Sequence, residues 1–197
     1  MNKWLLSLSI AAALTAGGMQ AMAADAAAGK AKSATCTACH NADGNSVNPI
    51  WPKLAGQHAG YLEGQLQAFK SGQRKDPTMT AMAAPLSEED MADLAAWFAS
   101  QKQTPGSADP ALAAAGGKLY RGGNAASGVS ACQACHTPNG EGNPAAGFPA
   151  VSGQHAAYVE KTLKDYRSGD RGASEKGKMM RGVAAKMTDA EIAAVAQ

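Results

Sequence analysis

Cys36-Thr37-Ala38-Cys39-His40 recurs in this chain as Cys132-Gln133-Ala134-Cys135-His136, 96 residues further on, and these two pentapeptides hold all four cysteines. The match continues outward in the same order. Leu54-Ala55-Gly56-Gln57-His58-Ala59-Gly60-Tyr61 returns as Val151-Ser152-Gly153-Gln154-His155-Ala156-Ala157-Tyr158 at an offset of 97, and Ser71-Gly72-Gln73-Arg74 returns as Ser168-Gly169-Asp170-Arg171 at the same offset. Met79, seven residues before Leu86-Ser87-Glu88, matches Met180, seven residues before Met187-Thr188-Asp189, at an offset of 101. Ordered recurrence with small insertions marks one domain duplicated in tandem. The breaker cluster Thr104-Pro105-Gly106-Ser107 places the joint within 103–109, giving units over 24–104 and 105–197.

Within a unit the pattern is helical, which makes the fold all-α. Ser87-Glu88-Glu89-Asp90 and Thr188-Asp189-Ala190-Glu191 have capping-box form, a hydroxyl followed three places on by an acid. Met91, Leu94, Ala95 and Phe98 follow the first box at helical spacing, which makes Met91 a core residue. Tyr61, Leu62, Leu66 and Phe69 form a second stripe ending at Gly72, and Tyr158, Val159, Leu163 and Tyr166 repeat it up to Gly169. Nothing reads as a sustained strand.

The 197 residues are 45% hydrophobic and 17% charged, with a formal charge of +2, too small and scattered for a nucleic-acid binder. The chain has 22 Gly and 9 Pro but only 5% aromatic residues, little with which to fill two interiors. Residues 1–23 read as a signal peptide: Lys3 is the single early charge, Trp4 to Ala16 are mostly apolar, and Ala21-Met22-Ala23 is a small-x-small cleavage site. A mostly apolar stretch of about 13 residues is too short for a bilayer, which needs about 20. The mature chain is then expected in the periplasm, with loose membrane association only if the leader is retained. The last apolar stripe of the second unit stops at Ala196-Gln197 before the aromatic positions of the first, so the sequence is expected to be short by a few residues.

Two Cys-x-x-Cys pairs in an exported chain admit disulfides, a redox dithiol or zinc. Neither a disulfide nor a dithiol requires His at the next position, twice, and a zinc site from four Cys and two His fits two widely separated, self-contained repeats behind an export signal poorly. Covalent haem does require that His, because the two thiols bond the vinyl groups and the adjacent imidazole falls beneath the iron. Two haem c groups are therefore expected, on Cys36 and Cys39 and on Cys132 and Cys135, with His40 and His136 as proximal ligands. Each macrocycle would supply the missing core of its unit.

For the opposite face of the iron, equivalent ligands should occupy equivalent columns. Met79 and Met180 share one column, whereas Met82 aligns with Val183, Met179 with Thr78 and Met187 with Leu86. Met79 and Met180 are the choice, while His58 and His155 also form a column and leave bis-histidine ligation open beside a capping or surface role. Pro52 lies 12 residues after His40 and Pro149 lies 13 after His136. Either proline is a plain turn residue or its carbonyl accepts the second N–H of the proximal ring.

Together these residues resemble the dihaem class I cytochromes of the cytochrome c4 type, across essentially the whole of 24–197. The specific elements are the two pentapeptides with Asp43-Gly44-Asn45 and Asn139-Gly140 following, Pro52-Lys53-Leu54-Ala55-Gly56-Gln57, Gly147-Phe148-Pro149 and Met180-Arg181-Gly182-Val183-Ala184-Ala185-Lys186. The resemblance implies two tandem cytochrome c-like domains, His/Met ligation at His40/Met79 and His136/Met180, and ring-holding carbonyls at Pro52 and Pro149. It also implies a carrier that takes electrons from a membrane quinol-cytochrome c oxidoreductase and passes them to a haem-copper terminal oxidase. The competing classes are a dihaem peroxidase or sulfur-compound dehydrogenase, which needs one open or unusually ligated haem, and a haem sensor, which needs an output domain. The sequence offers no acid-base constellation for an enzyme and no output domain.

Overall fold

Asp25 starts the first helix by accepting the backbone N–H groups of Ala27 and Ala28, and the alanine-rich stretch behind it forms α1 (Ala26–Lys32). The chain then tightens into a 3₁₀ turn over Ser33–Cys36 and one helical turn, α2 (Thr37–His40). The computed structural model describes residues 24–197, so the signal-peptide reading of 1–23 lies outside the described residues. A loop leads to α3 (Ala59–Lys70), which stops before Gly72 at φ +74°, where a side chain is disfavoured. Asp76 then accepts the Met79 N–H and Pro77 fills the first turn of α4 (Pro77–Ala83). Ser87 and Asp90 close the capping box of α5 (Glu88–Ala99).

The second domain repeats the plan. Asp109 and Pro110 open α6 (Pro110–Gly122), α7 (Gln133–His136) is the single turn of the second pentapeptide, and α8 (Ala156–Ser168) runs to Gly169 in the left-handed region. Ser174 caps α9 (Glu175–Ala184), and the Thr188/Glu191 box opens α10 (Asp189–Val195). Among the described residues the only β pairing is two isolated bridges, Asn124 with Val129 and Asn143 with Phe148. The fold is all-α, as the periodicity predicts.

Helices α1 and α6 were not apparent in the repeat, yet each makes the tightest crossing of its domain. A Cβ on Gly29 would lie 2.0 Å from the Asp93 carbonyl oxygen of α5, and one on Gly116 would lie 2.0 Å from that of Ala194 in α10. Below these crossings sit two apolar clusters. Leu62, Leu94, Ala95 and Phe98 form the first, with Cys36 and Leu54 against it; Leu119, Val129, Leu163, Met187 and Ile192 form the second. Met91 is 1% exposed, as expected of a core residue. The first pentapeptide turn thus follows the anchored α1 through one 3₁₀ turn, with Cys36 against its domain's cluster, whereas the second follows α6 only after the segment that carries the Asn124–Val129 bridge.

Candidate functional site

The pentapeptide turns place each histidine inward. His40 and His136 are buried, and in each ring Nδ1–H donates to the carbonyl predicted as one of two alternatives, Pro52 O at 2.9 Å and Pro149 O at 2.9 Å. Burial lowers the His40 pKa more than the Pro52 bond raises it, so the ring is held neutral, the state in which a nitrogen lone pair is available. Among the described residues Nε2 of His40 and of His136 has no hydrogen-bond partner. A buried ring with one nitrogen pinned by a backbone carbonyl and the other free has the donor set a metal centre requires. The cysteine thiols beside them are unbridged and half-buried, and burial pushes those of Cys36 and Cys132 up, keeping them protonated.

The methionines separate by position. Met79 is half-buried in the first turn of α4, and Met180 is half-buried in α9, packed on the second apolar cluster. Met91 and Met187 are core residues, and Met179 is 54% exposed. Met82 is half-buried like Met79, so exposure alone does not divide these two.

His58 and His155 precede α3 and α8, but neither makes a capping bond with its side chain. Their Nε2 atoms cross to the other domain instead. His58 donates to Glu141 O at 2.8 Å; His155 donates to Ser46 O at 2.9 Å and lies 3.0 Å from Ser46 Oγ. The expected capping or surface role is corrected to an interdomain one, with Nε2 of each ring engaged across the seam. Among the described residues no three His, Cys, Asp or Glu side chains converge.

The seam these histidines join was not read from the sequence. Gln57 brackets Ala150 and Gln154 brackets Lys53, each through both backbone groups. Deeper in, Arg74 donates to the Tyr158 hydroxyl at 2.8 Å, and Arg171, 5% exposed, donates to the Tyr61 hydroxyl at 2.7 Å. Gln65 Oε1 accepts from both guanidinium groups. Gln57 and Gln154, Tyr61 and Tyr158, and Arg74 and Arg171 are repeated columns, so the available signal was a set of polar residues recurring with no ligand role. No helix among the described residues is long and apolar enough to cross a membrane.

Comparison with known proteins agrees with this geometry. The family model "Cytochrome c" matches twice, over residues 26–102 and 113–197. Cytochrome c4 of Pseudomonas aeruginosa is 50% identical over 195 residues, covering 99% of this chain and 96% of the relative. A thiosulfate dehydrogenase electron acceptor of Thiomonas intermedia is 40% identical over 177 residues, 87% of this chain and 80% of that one. The crystal structure of reduced recombinant cytochrome c4 from Pseudomonas stutzeri superposes with a TM-score of 0.85 at 51% identity, covering 88% of this chain and 96% of that chain. The chain thus belongs to the cytochrome c family in its dihaem cytochrome c4 branch, electron-transfer proteins with two covalently bound haem c groups.

Proposed function

We propose that this protein works in the periplasm, taking electrons from a membrane quinol-oxidising complex and delivering them to a haem-copper terminal oxidase. The four cysteines would hold the two haems, with His40 and Met79 as one axial pair and His136 and Met180 as the other. When bound, each haem supplies a one-electron Fe(III)/Fe(II) couple whose potential a soft thioether ligand raises. The carrying observation is the contrast among the four histidines: Nε2 is free in His40 and His136 and committed to the opposite domain in His58 and His155. The Pro52 and Pro149 carbonyls fix the orientation of the His40 and His136 rings and raise their basicity, so both rings would be held ready for a metal with little movement.

A second reading concerns the donor alone. The likeness to a thiosulfate dehydrogenase electron acceptor favours an enzyme that oxidises a sulfur compound as the source of electrons.

Ferric spectra of the holoprotein and of Met79→His and Met180→His test the ligands. Each variant should remove the sulfur-to-iron charge-transfer signal of one haem and leave the other. A variant that leaves the signal intact assigns that ligand elsewhere. Stopped-flow reduction by the purified quinol-oxidising complex, compared with a thiosulfate-oxidising enzyme, decides the donor.

A further inference from the structure

The carbonyl that holds each proximal ring is one end of a peptide unit whose other end is gripped by the opposite domain. Pro52 C=O and Lys53 N–H lie in one planar peptide. His40 donates to its oxygen at 2.9 Å, and Gln154 Oε1 of the second domain accepts its N–H at 2.9 Å. Pro149 C=O and Ala150 N–H form the matching unit: His136 donates to the oxygen at 2.9 Å and Gln57 Oε1 of the first domain accepts the N–H at 2.9 Å.

Both glutamines are fixed before they reach across. Gln154 Oε1 also accepts the N–H of His155, and Gln57 Oε1 that of His58, so each amide is locked at the start of its own helix. Each amide nitrogen then donates to the next carbonyl of the same foreign segment, Gln154 to Lys53 O at 2.9 Å and Gln57 to Ala150 O at 2.8 Å. Domain 2 also braces, through Ser46, the peptide unit that precedes the first one. Ser46 Oγ donates to Trp51 O at 2.8 Å, and His155 holds Ser46.

We infer that Gln57 and Gln154 are positioning residues for each other's redox centres: Gln154 sets the proximal hydrogen bond of His40, and Gln57 that of His136. Two physical effects act in the same direction. Clamping the peptide fixes where its oxygen points. Accepting its N–H polarises the C=O, because hydrogen bonds in a chain strengthen one another. A stronger Nδ1–H···O bond makes the imidazole a better donor, which favours the ferric state and lowers the potential. The seam therefore ties each domain's potential to an amide of the other, a role that rests on the proposed His40 and His136 ligation.

The test is potentiometric titration of loaded holoprotein, with each haem followed through its own hyperfine-shifted NMR signals. Gln154→Met, close in size but unable to accept the N–H, should raise the first haem's potential and leave the second unmoved. Gln57→Met should do the reverse. Gln154→Ala removes the acceptor and the donor without adding a charge, so it should also raise the first haem's potential and supplies an alternative if the methionine variant fails to load. Shifts confined to the mutated domain, shifts of opposite sign for Gln154→Met and Gln154→Ala, or no shift at all would overturn the inference. Failure of the underlying ligation would already appear in wild type, as missing thioether signals or as loaded haem in a His40→Ala variant with an unchanged spectrum.

Discussion

Replacing Gly29 with alanine should open the crossing on which the first pentapeptide hangs. The added Cβ would lie 2.0 Å from Asp93 O, 2.5 Å from Asp93 C and 2.9 Å from the Trp97 Cβ. A carbon normally approaches a carbonyl oxygen no closer than about 3.3 Å, so α1 and α5 must separate by about 1.3 Å along that contact. Two of the three obstructing atoms are backbone and cannot swing away. Overpacking costs about 1–3 kcal/mol, here near the upper end, and alanine returns about 1 kcal/mol of helix propensity. The net loss is about 2 kcal/mol, or about 8–16 °C in the melting of a domain this size. Gly64→Ala is the matched control, since it lies inside α3 with nothing within 4 Å of its new Cβ. It should gain up to about 1 kcal/mol. Thermal unfolding of the holoprotein, followed by circular dichroism and by the haem absorbance, reads both. Equal stabilities for the two variants would refute the reasoning, because they differ only in what the methyl group meets.

Two further outcomes follow from the seam. His58→Ala combined with His155→Ala should leave both haem spectra unchanged while weakening the interdomain contact by about 1 kcal/mol for each lost bond, measured by denaturant unfolding; loss of a low-spin spectrum would restore these residues as ligands. An alkaline absorbance titration should find one tyrosine ionising early. Burial raises the Tyr158 pKa, but the guanidinium groups of Arg74 and Arg171 outweigh it and bring the hydroxyl down to about 8 from 10.0. Because the folded value is the lower one, the stabilisation from this ionisation is complete above pH 10, fades as pH falls, and is gone below about pH 8. Tyr158→Phe should abolish that early step, and an unchanged titration curve in the variant would disprove the assignment.

What could be read from the sequence was whatever needed only one copy of the chain and short spacing. Cys36, Cys39 and His40 declare their chemistry within five residues, and both capping boxes formed at the stated positions. Helices α1 and α6 escaped because their key glycines break the common offset. Gly29 lies 36 − 29 = 7 residues before Cys36, whereas Gly116 lies 132 − 116 = 16 before Cys132. The additional residues carry the Asn124–Val129 bridge, so the second crossing is displaced along the sequence but not in the fold. The proline carbonyls were legible only as alternatives, since spacing does not show which way a carbonyl points. His58 and His155 were misread as capping or surface residues because a polar side chain before a helix most often serves that helix, and its partner lies in the other repeat.

That last error shows what duplication adds to the physics. In a seam with two-fold character, residue i meets j and the equivalent of i meets the equivalent of j. One repeated column then serves twice: Gln57 brackets Ala150 as Gln154 brackets Lys53, and Arg74 reaches Tyr158 as Arg171 reaches Tyr61. A substitution in one copy therefore breaks half of a reciprocal pair and leaves its counterpart as an internal control. The symmetry ends at Lys53, whose counterpart is Ala150. The Lys53 ammonium is buried, donates to Thr104 O at 2.8 Å, and has its pKa lowered by that burial. Lys53 thus joins three things at one residue: the peptide of the first proximal ring, the amide of the second domain and the connecting segment. The His40 ring is for that reason the one more tightly bound to how the two halves are joined.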